Sequence, residues 1–197
     1  MLLGTLLTLS LCTPTHADSL DLLFERGRTY QAFLEGANAR KETWLENTQA
    51  ATLDPAVLAR ARAVGGEWKL LAVAEDWCGD SANTVPYIAR LMDSLPSVTL
   101  RIVNSKDGRW VMERYRTPDG RAATPTLVLL NSAGEPVGCF VERPAGLRKA
   151  IADGGRSTMT ILTEWRKQDA GRSTVQEIVE LLEAAAQGTG RCANPGS

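Results

Sequence analysis

The chain has 197 residues, 44% of them apolar, with 22 Lys and Arg against 23 Asp and Glu. That is one globular domain with additions, and the balanced charge without a basic cluster argues against a nucleic-acid partner. The single histidine, His16, excludes histidine triads and ordinary zinc sites from the body of the chain, and no apolar stretch is long enough for a membrane span.

Residues 1–17 contain a short apolar run, Leu2 to Leu11, and Thr15-His16-Ala17 ends in a small residue as a signal-peptidase site would. No Lys or Arg precedes the run, and Cys12 follows Leu11 rather than a small residue, which argues against a lipoprotein anchor. The segment reads as a signal peptide or a disordered extension. A cytoplasmic location is expected, with export through residues 1–17 as the alternative.

Residues 18–66 read as a helical extension. Leu20, Leu23 and Phe24, then Tyr30, Phe33 and Leu34, recur at helical intervals punctuated by Gly27 and Gly36. Asp54-Pro55 is a helix start and Gly65-Gly66 a stop. The main domain is expected over 67–187. Trp68 to Ala74 is a buried strand, and Ser81 to Leu95 a helix that Pro86 should bend. Val98 to Val103 is a second strand, and Trp110, Val111, Arg114 and Tyr115 mark a short helix before the turn Thr117-Pro118-Asp119-Gly120. Thr126 to Leu130 is a third strand, joined through Asn131 to Pro136 to an antiparallel fourth, Val137 to Glu142. A mixed region to Arg172 places Ile161, Leu162 and Trp165 on one helical face. Ser173 to Ala186 is a clear amphipathic helix, and 188–197 a flexible polar tail. The order predicts an α/β fold, a mixed sheet of about four strands with helices on both faces.

Chemistry is expected at Glu75-Asp76-Trp77-Cys78-Gly79-Asp80-Ser81, where the first strand meets a helix. Unpaired amides and the helix dipole there favour a thiolate over a thiol. The Ser81 hydroxyl can donate to that sulfur, while Asp80 opposes the charge and is expected to turn to solvent. The cysteines, Cys12, Cys78, Cys139 and Cys192, are spaced neither as a disulfide framework nor as a metal site. Cys139 reads as a small core residue on a strand, and Cys192 as a surface thiol on the tail.

These residues resemble the thioredoxin superfamily, in particular small bacterial thioredoxin-like proteins with an E-D-W-C-G-D motif. Trp77-Cys78-Gly79 follows the first core strand. Pro86 lies eight residues beyond Cys78, at the family's helix-kinking proline. Thr124-Pro125 matches its cis-proline site. The likeness runs from Trp68 to Glu142 plus the closing helix. It departs at Ser81, in place of a second cysteine, and at Ala72, in place of a buried acid six residues before Cys78.

The resemblance implies thiol–disulfide exchange through Cys78 alone, aided by Ser81. Trp77, Gly79 and Asp80 would shape the site, and Thr124 and Pro125 would position the substrate chain. Glutathione or another small thiol, or else Cys139 or Cys192, would resolve the adduct. No metal and no resident cofactor is implied, and the partners would be protein or small-molecule disulfides. The alternative is a redox-inactive module that holds extended peptide segments in the groove at Trp77 and Pro125.

Overall fold

The computed structural model describes residues 19–192; the expectations for the apolar run of residues 2–11, for Cys12, for His16 and for the tail beyond residue 192 fall outside the described residues. Four helices come first: α1 (Leu20–Arg26), α2 (Tyr30–Glu35), α3 (Lys41–Ala50) and α4 (Pro55–Ala63). Their starts are chemically marked. Ser19 Oγ accepts the Leu22 N–H, Thr29 Oγ1 the Ala32 N–H, and Asp54 Oδ1 those of Ala56 and Val57, with Pro55 opening α4. Gly27 and Gly36 end the first two helices.

The sheet has four strands, β1 (Trp68–Val73), β2 (Val98–Val103), β3 (Thr126–Leu130) and β4 (Pro136–Val141), in the order β2-β1-β3-β4. β2 runs parallel to β1, and β3 runs antiparallel to both β1 and β4. Alternation along the central strands divides the core. Leu70, Ala72, Leu127 and Leu129 face one cluster, and Leu71, Val73, Val128 and Leu130 the other. The first face is covered by α2, α3, α4, α6 (Val85–Met92) and α10 (Arg172–Ala186), and the second by α1 and α7 (Arg109–Arg114).

Two sequence expectations change. The helix anticipated from Ser81 to Leu95 is not one bent rod. α5 (Gly79–Ala82) stops, Thr84 leaves helical geometry at φ −129° and ψ −56°, and α6 starts afresh. Pro86 lies in the first turn of α6, where a missing N–H costs no intrahelical bond, so it starts a helix rather than bending one. The mixed region before Arg172 resolves into α8 (Ala145–Asp153) and α9 (Thr158–Asp169), which pack on each other through Leu147, Ile161 and Leu162.

The topology fixes where the motif lies. Val73, at the end of β1, pairs with Thr126, at the start of β3, so the loop after β1 and the segment before β3 emerge side by side. Gly171, between α9 and α10, has φ +76°, and a Cβ there would lie 2.1 Å from Tyr87 Cγ. Gly171→Ala is therefore expected to destabilise the fold by about 2–4 kcal/mol, read as a lower urea midpoint at unchanged slope. A midpoint within error of the parent would refute this packing.

Candidate functional site

Cys78 is the N-cap residue of α5, with φ −78° and ψ 119°. Its Sγ accepts the Ser81 N–H at 3.4 Å, and its thiol donates to the Thr124 carbonyl oxygen at 3.3 Å. Sulfur thus takes the place that Ser, Thr or Asp oxygens usually fill at a helix start. The Thr124–Pro125 peptide is cis, and the Pro125 carbonyl accepts the Glu142 N–H at 2.7 Å.

Ser81 is fully buried three residues on, and its hydroxyl has no hydrogen-bond partner among the described residues. Gly79 O accepts the Asn83 amide, and Ala82 O accepts the Asn47 side chain, itself held by Tyr87 Oη. The turn that carries the cysteine is therefore pinned from two helices. Trp77 projects outward, 59% exposed.

The acids around the cysteine act as ties. Glu75 accepts the Ser105 N–H at 2.7 Å and its hydroxyl at 2.6 Å, fastening the loop after β2. Asp76 accepts the N–H groups of Asn38 and Ala39 at 2.8 and 3.0 Å, while its carbonyl takes Trp44 Nε1. Those amides, Ala39 first, hold the Asp76 carboxyl below its ordinary pKa. Ala72 is fully buried within the apolar cluster, so the first strand brings no acid beneath the sulfur.

Asp80 does not turn to solvent, contrary to expectation. Arg143 grips it with Nε at 3.1 Å and Nη2 at 2.7 Å, and Arg166 Nη2 meets Oδ1 at 2.7 Å. The physical reason is supply. The turn after β4 delivers Arg143 and α9 delivers Arg166 into the same half-buried corner, where an unpaired carboxylate would be costly. Burial alone would lower the Arg143 pKa; Asp80, then Glu142, outweigh it and leave it raised. Glu142 turns the chain at φ 64°, an uncommon conformation for a non-glycine residue, and sends Arg143 back toward α5.

Sequence reasoning missed the arginines. Arg40 donates from Nε to the Trp77 carbonyl at 2.7 Å, and its guanidinium carbon lies 3.9 Å from where a Gly79 Cβ would be. Arg166 nitrogens lie 3.8 and 4.0 Å from that same point. Arg40 forms no ion pair with any carboxylate among the described residues. A hollow of about 500 Å³ opens beside Arg143, walled by Arg121, Glu142, Arg148 and Lys149. Nothing in the sequence marked these residues, because they reach the motif from 38 positions before Cys78 to 88 after it.

Cys139 and Cys192, considered as resolving thiols, lie together instead. Cys139 pairs with Val128 on the face opposite α6, and Cys192 packs into that same cluster. Val128 lies on β3, four residues beyond Thr124, which precedes the strand.

A half-exposed loop cysteine capping a helix beside a cis-proline, on a four-stranded mixed sheet, defines a protein of the thioredoxin-like class. The chain belongs to the thioredoxin family: a family model described as Thioredoxin matches residues 27–160. Among solved structures it is similar to a Pseudomonas aeruginosa protein of unknown function, at 22% identity and TM-score 0.70, over 85% of this chain and 99% of that one. An HIV epitope-scaffold matches at 22% identity and TM-score 0.71 over the same shares. At these identities the likeness is one of fold. No curated protein matches the sequence. Among the described residues, no helix is long and apolar enough to cross a membrane.

Because the Ser81 hydroxyl satisfies no partner, Ser81→Ala is expected to leave folding stability within about 1 kcal/mol of the parent in urea denaturation. A loss above about 2 kcal/mol would reveal a bond that this arrangement lacks.

Proposed function

We propose that this protein carries out thiol–disulfide exchange, in the maintenance of redox balance, through Cys78 as its single attacking sulfur. The observation that carries the reading is the seat of Cys78 Sγ, between the Ser81 amide and the Thr124 carbonyl at the start of α5. The Ser81 N–H aimed at the sulfur is a contact that an anionic sulfur makes better than a neutral one.

The reaction is a pair of exchanges. The Cys78 thiolate attacks one sulfur of a substrate disulfide, forming a mixed disulfide and expelling the other sulfur as a thiolate, which takes a proton from solvent. Ser81 stands where a second cysteine would close a local ring, so a small external thiol performs the second step. Its thiolate attacks the substrate-side sulfur of the mixed disulfide, forming a disulfide between the small thiol and the substrate and expelling Cys78 as a thiolate. Ser81 lies one helical turn from the sulfur, within the buried wall of the site. Trp77, Gly79 and Asp80 shape the rim, and Thr124 and Pro125 line the approach of the substrate chain.

Glutathione suits the surroundings. It carries two carboxylates, and the rim presents Arg40 free of any carboxylate among the described residues, with Arg166 beside it. The neighbouring hollow has the volume of a small-ligand site, with Arg148 and Lys149 on its wall beside Asp119 and Glu142, which pair with Arg121. The rival reading, a redox-inactive holder of extended segments, draws on Trp77, a large apolar side chain that is 59% exposed.

Incubation with oxidised glutathione separates the two. One glutathione adduct on Cys78, seen by intact mass and peptide mapping and absent from Cys78→Ala, is the expected result. An unmodified Cys78 under conditions that modify a free cysteine peptide would leave the binding module.

Two variants extend the test. Ser81→Cys supplies the missing sulfur and is expected to give, on oxidation, a disulfide between Cys78 and the introduced thiol. Its dithiothreitol-driven insulin reduction should be at least about tenfold faster than the parent's. Equal rates would mean that Ser81 is not what limits local resolution. Arg40→Glu is expected to slow adduct formation with oxidised glutathione by about 3–10-fold while sparing the neutral hydroxyethyl disulfide. Equal slowing of both reagents would place Arg40 in the structure of the loop rather than in recognition.

A further inference from the structure

A second pair of thiols lies on the other face of the sheet. Cys139 faces the cluster formed by Leu71, Val73, Val111 and Tyr115, opposite Val128. After α10 the chain reverses: Gly188 adopts φ +68°, and the N–H groups of Thr189 and Gly190 both reach the Ala184 carbonyl at 2.9 Å. The chain then crosses β4 so closely that a Cβ on Gly190 would lie 2.2 Å from the Val137 carbonyl oxygen. Only glycine permits that approach. It carries Cys192 into the same cluster that Cys139 packs against.

Both cysteines are free, half-buried thiols. Tyr115 packs beside them, its hydroxyl buried with no hydrogen-bond partner among the described residues. Burial pushes the Tyr115 phenol up to about 12, and the Cys192 thiol is raised by the neighbouring Cys139 and by burial. The two thiols are thus shielded and packed into one cluster.

We propose that Cys139 and Cys192 form a second redox site, independent of Cys78: an intramolecular disulfide, made by exchange with a small-molecule disulfide, that fastens the C-terminal segment to β4. One thiol, having lost its proton to solvent, attacks a sulfur of oxidised glutathione and expels one glutathione thiolate. The adjacent sulfur, deprotonated in turn, attacks the protein-side sulfur of that mixed disulfide and expels the second. Two thiols and one disulfide become one protein disulfide and two glutathiones. Because the pair is shielded, the reaction is slower than modification at Cys78.

The test uses the full chain carrying Cys78→Ala, so that failure at the first site cannot obscure the second. After treatment with oxidised glutathione, the expected product is about 2 Da lighter than the reduced protein, holds no glutathione, and yields a linked Cys139–Cys192 peptide. Its thermal midpoint rises by roughly 5–10 °C and falls back with dithiothreitol. Adding Cys192→Ser should abolish both the mass loss and the thermal shift, leaving at most a glutathione adduct on Cys139. Stable adducts on both cysteines, alkylation of both after oxidation, or a link from either to Cys12 would overturn the proposal.

Discussion

Two carboxylates, each two residues from Cys78, hold the motif in place. Asp76 receives backbone amides from the turn between α2 and α3, and Asp80 receives the guanidinium groups of Arg143 and Arg166. Pairing so many donors on two acids fixes a loop that has no regular structure of its own. The Asp80 cluster is mostly buried, with side-chain exposures of 15%, 17% and 26% for Asp80, Arg143 and Arg166. Removing one member would strand a charge at a cost on the order of 3–5 kcal/mol, far more than an exposed ion pair contributes. Replacing the whole cluster with apolar groups need cost little. The cluster therefore contributes less to net stability than to the position of α5, and so of the sulfur that caps it.

That use of the acids bears on the chemistry. An acid engaged by two or three donors is a poor proton carrier, and Glu75, Asp76 and Asp80 are all engaged. With Ala72 on the first strand and an unpartnered hydroxyl at Ser81, the site has neither an acid from that strand nor a second thiol. What remains is a nucleophile in a rigid seat beside a cationic rim. Such a site suits a single exchange with a small reagent that brings its own second thiol, rather than the intramolecular closure of a dithiol.

How much of this was legible follows from the range of the interactions. The strands were readable because each apolar run is bounded by its own turn residues, and α10 because its apolar stripe repeats over four turns. Asp54 and Pro55 announced a helix start locally, and the motif with Thr124-Pro125 announced the seat of Cys78. The break at Asn83–Thr84 was hidden, since Val85, Ile88, Ala89 and Met92 set a helical period just beyond it and no glycine or proline stands between Ser81 and Thr84. Asp80 was misread because its partners lie 63 and 86 residues away, and a carboxylate beside a thiol looks in isolation like a group that should face water. Cys139 and Cys192 carry no mutual signal at all; only the chain reversal at Gly188 and Gly190 brings them together.

The segments outside the core that runs from Trp68 to Glu142 act on its edges and on its reactive loop. Arg28 exchanges two hydrogen bonds with Ile102, covering the outer edge of β2, and Gly190 brings the C-terminal segment across β4. Both ends of a four-stranded sheet that would otherwise invite strand pairing are thereby guarded. The same additions crowd the cysteine: Arg40 and Trp44 arrive from the N-terminal helices, and Arg166 from α9. Hemmed in by cations on these sides, Cys78 is left with an approach past the exposed Trp77 and the Thr124–Pro125 edge. Under the proposed exchange, a folded partner would offer a disulfide there on a protruding loop, whereas a small anionic disulfide would meet Arg40 and Arg166, so the additions would favour the smaller substrate.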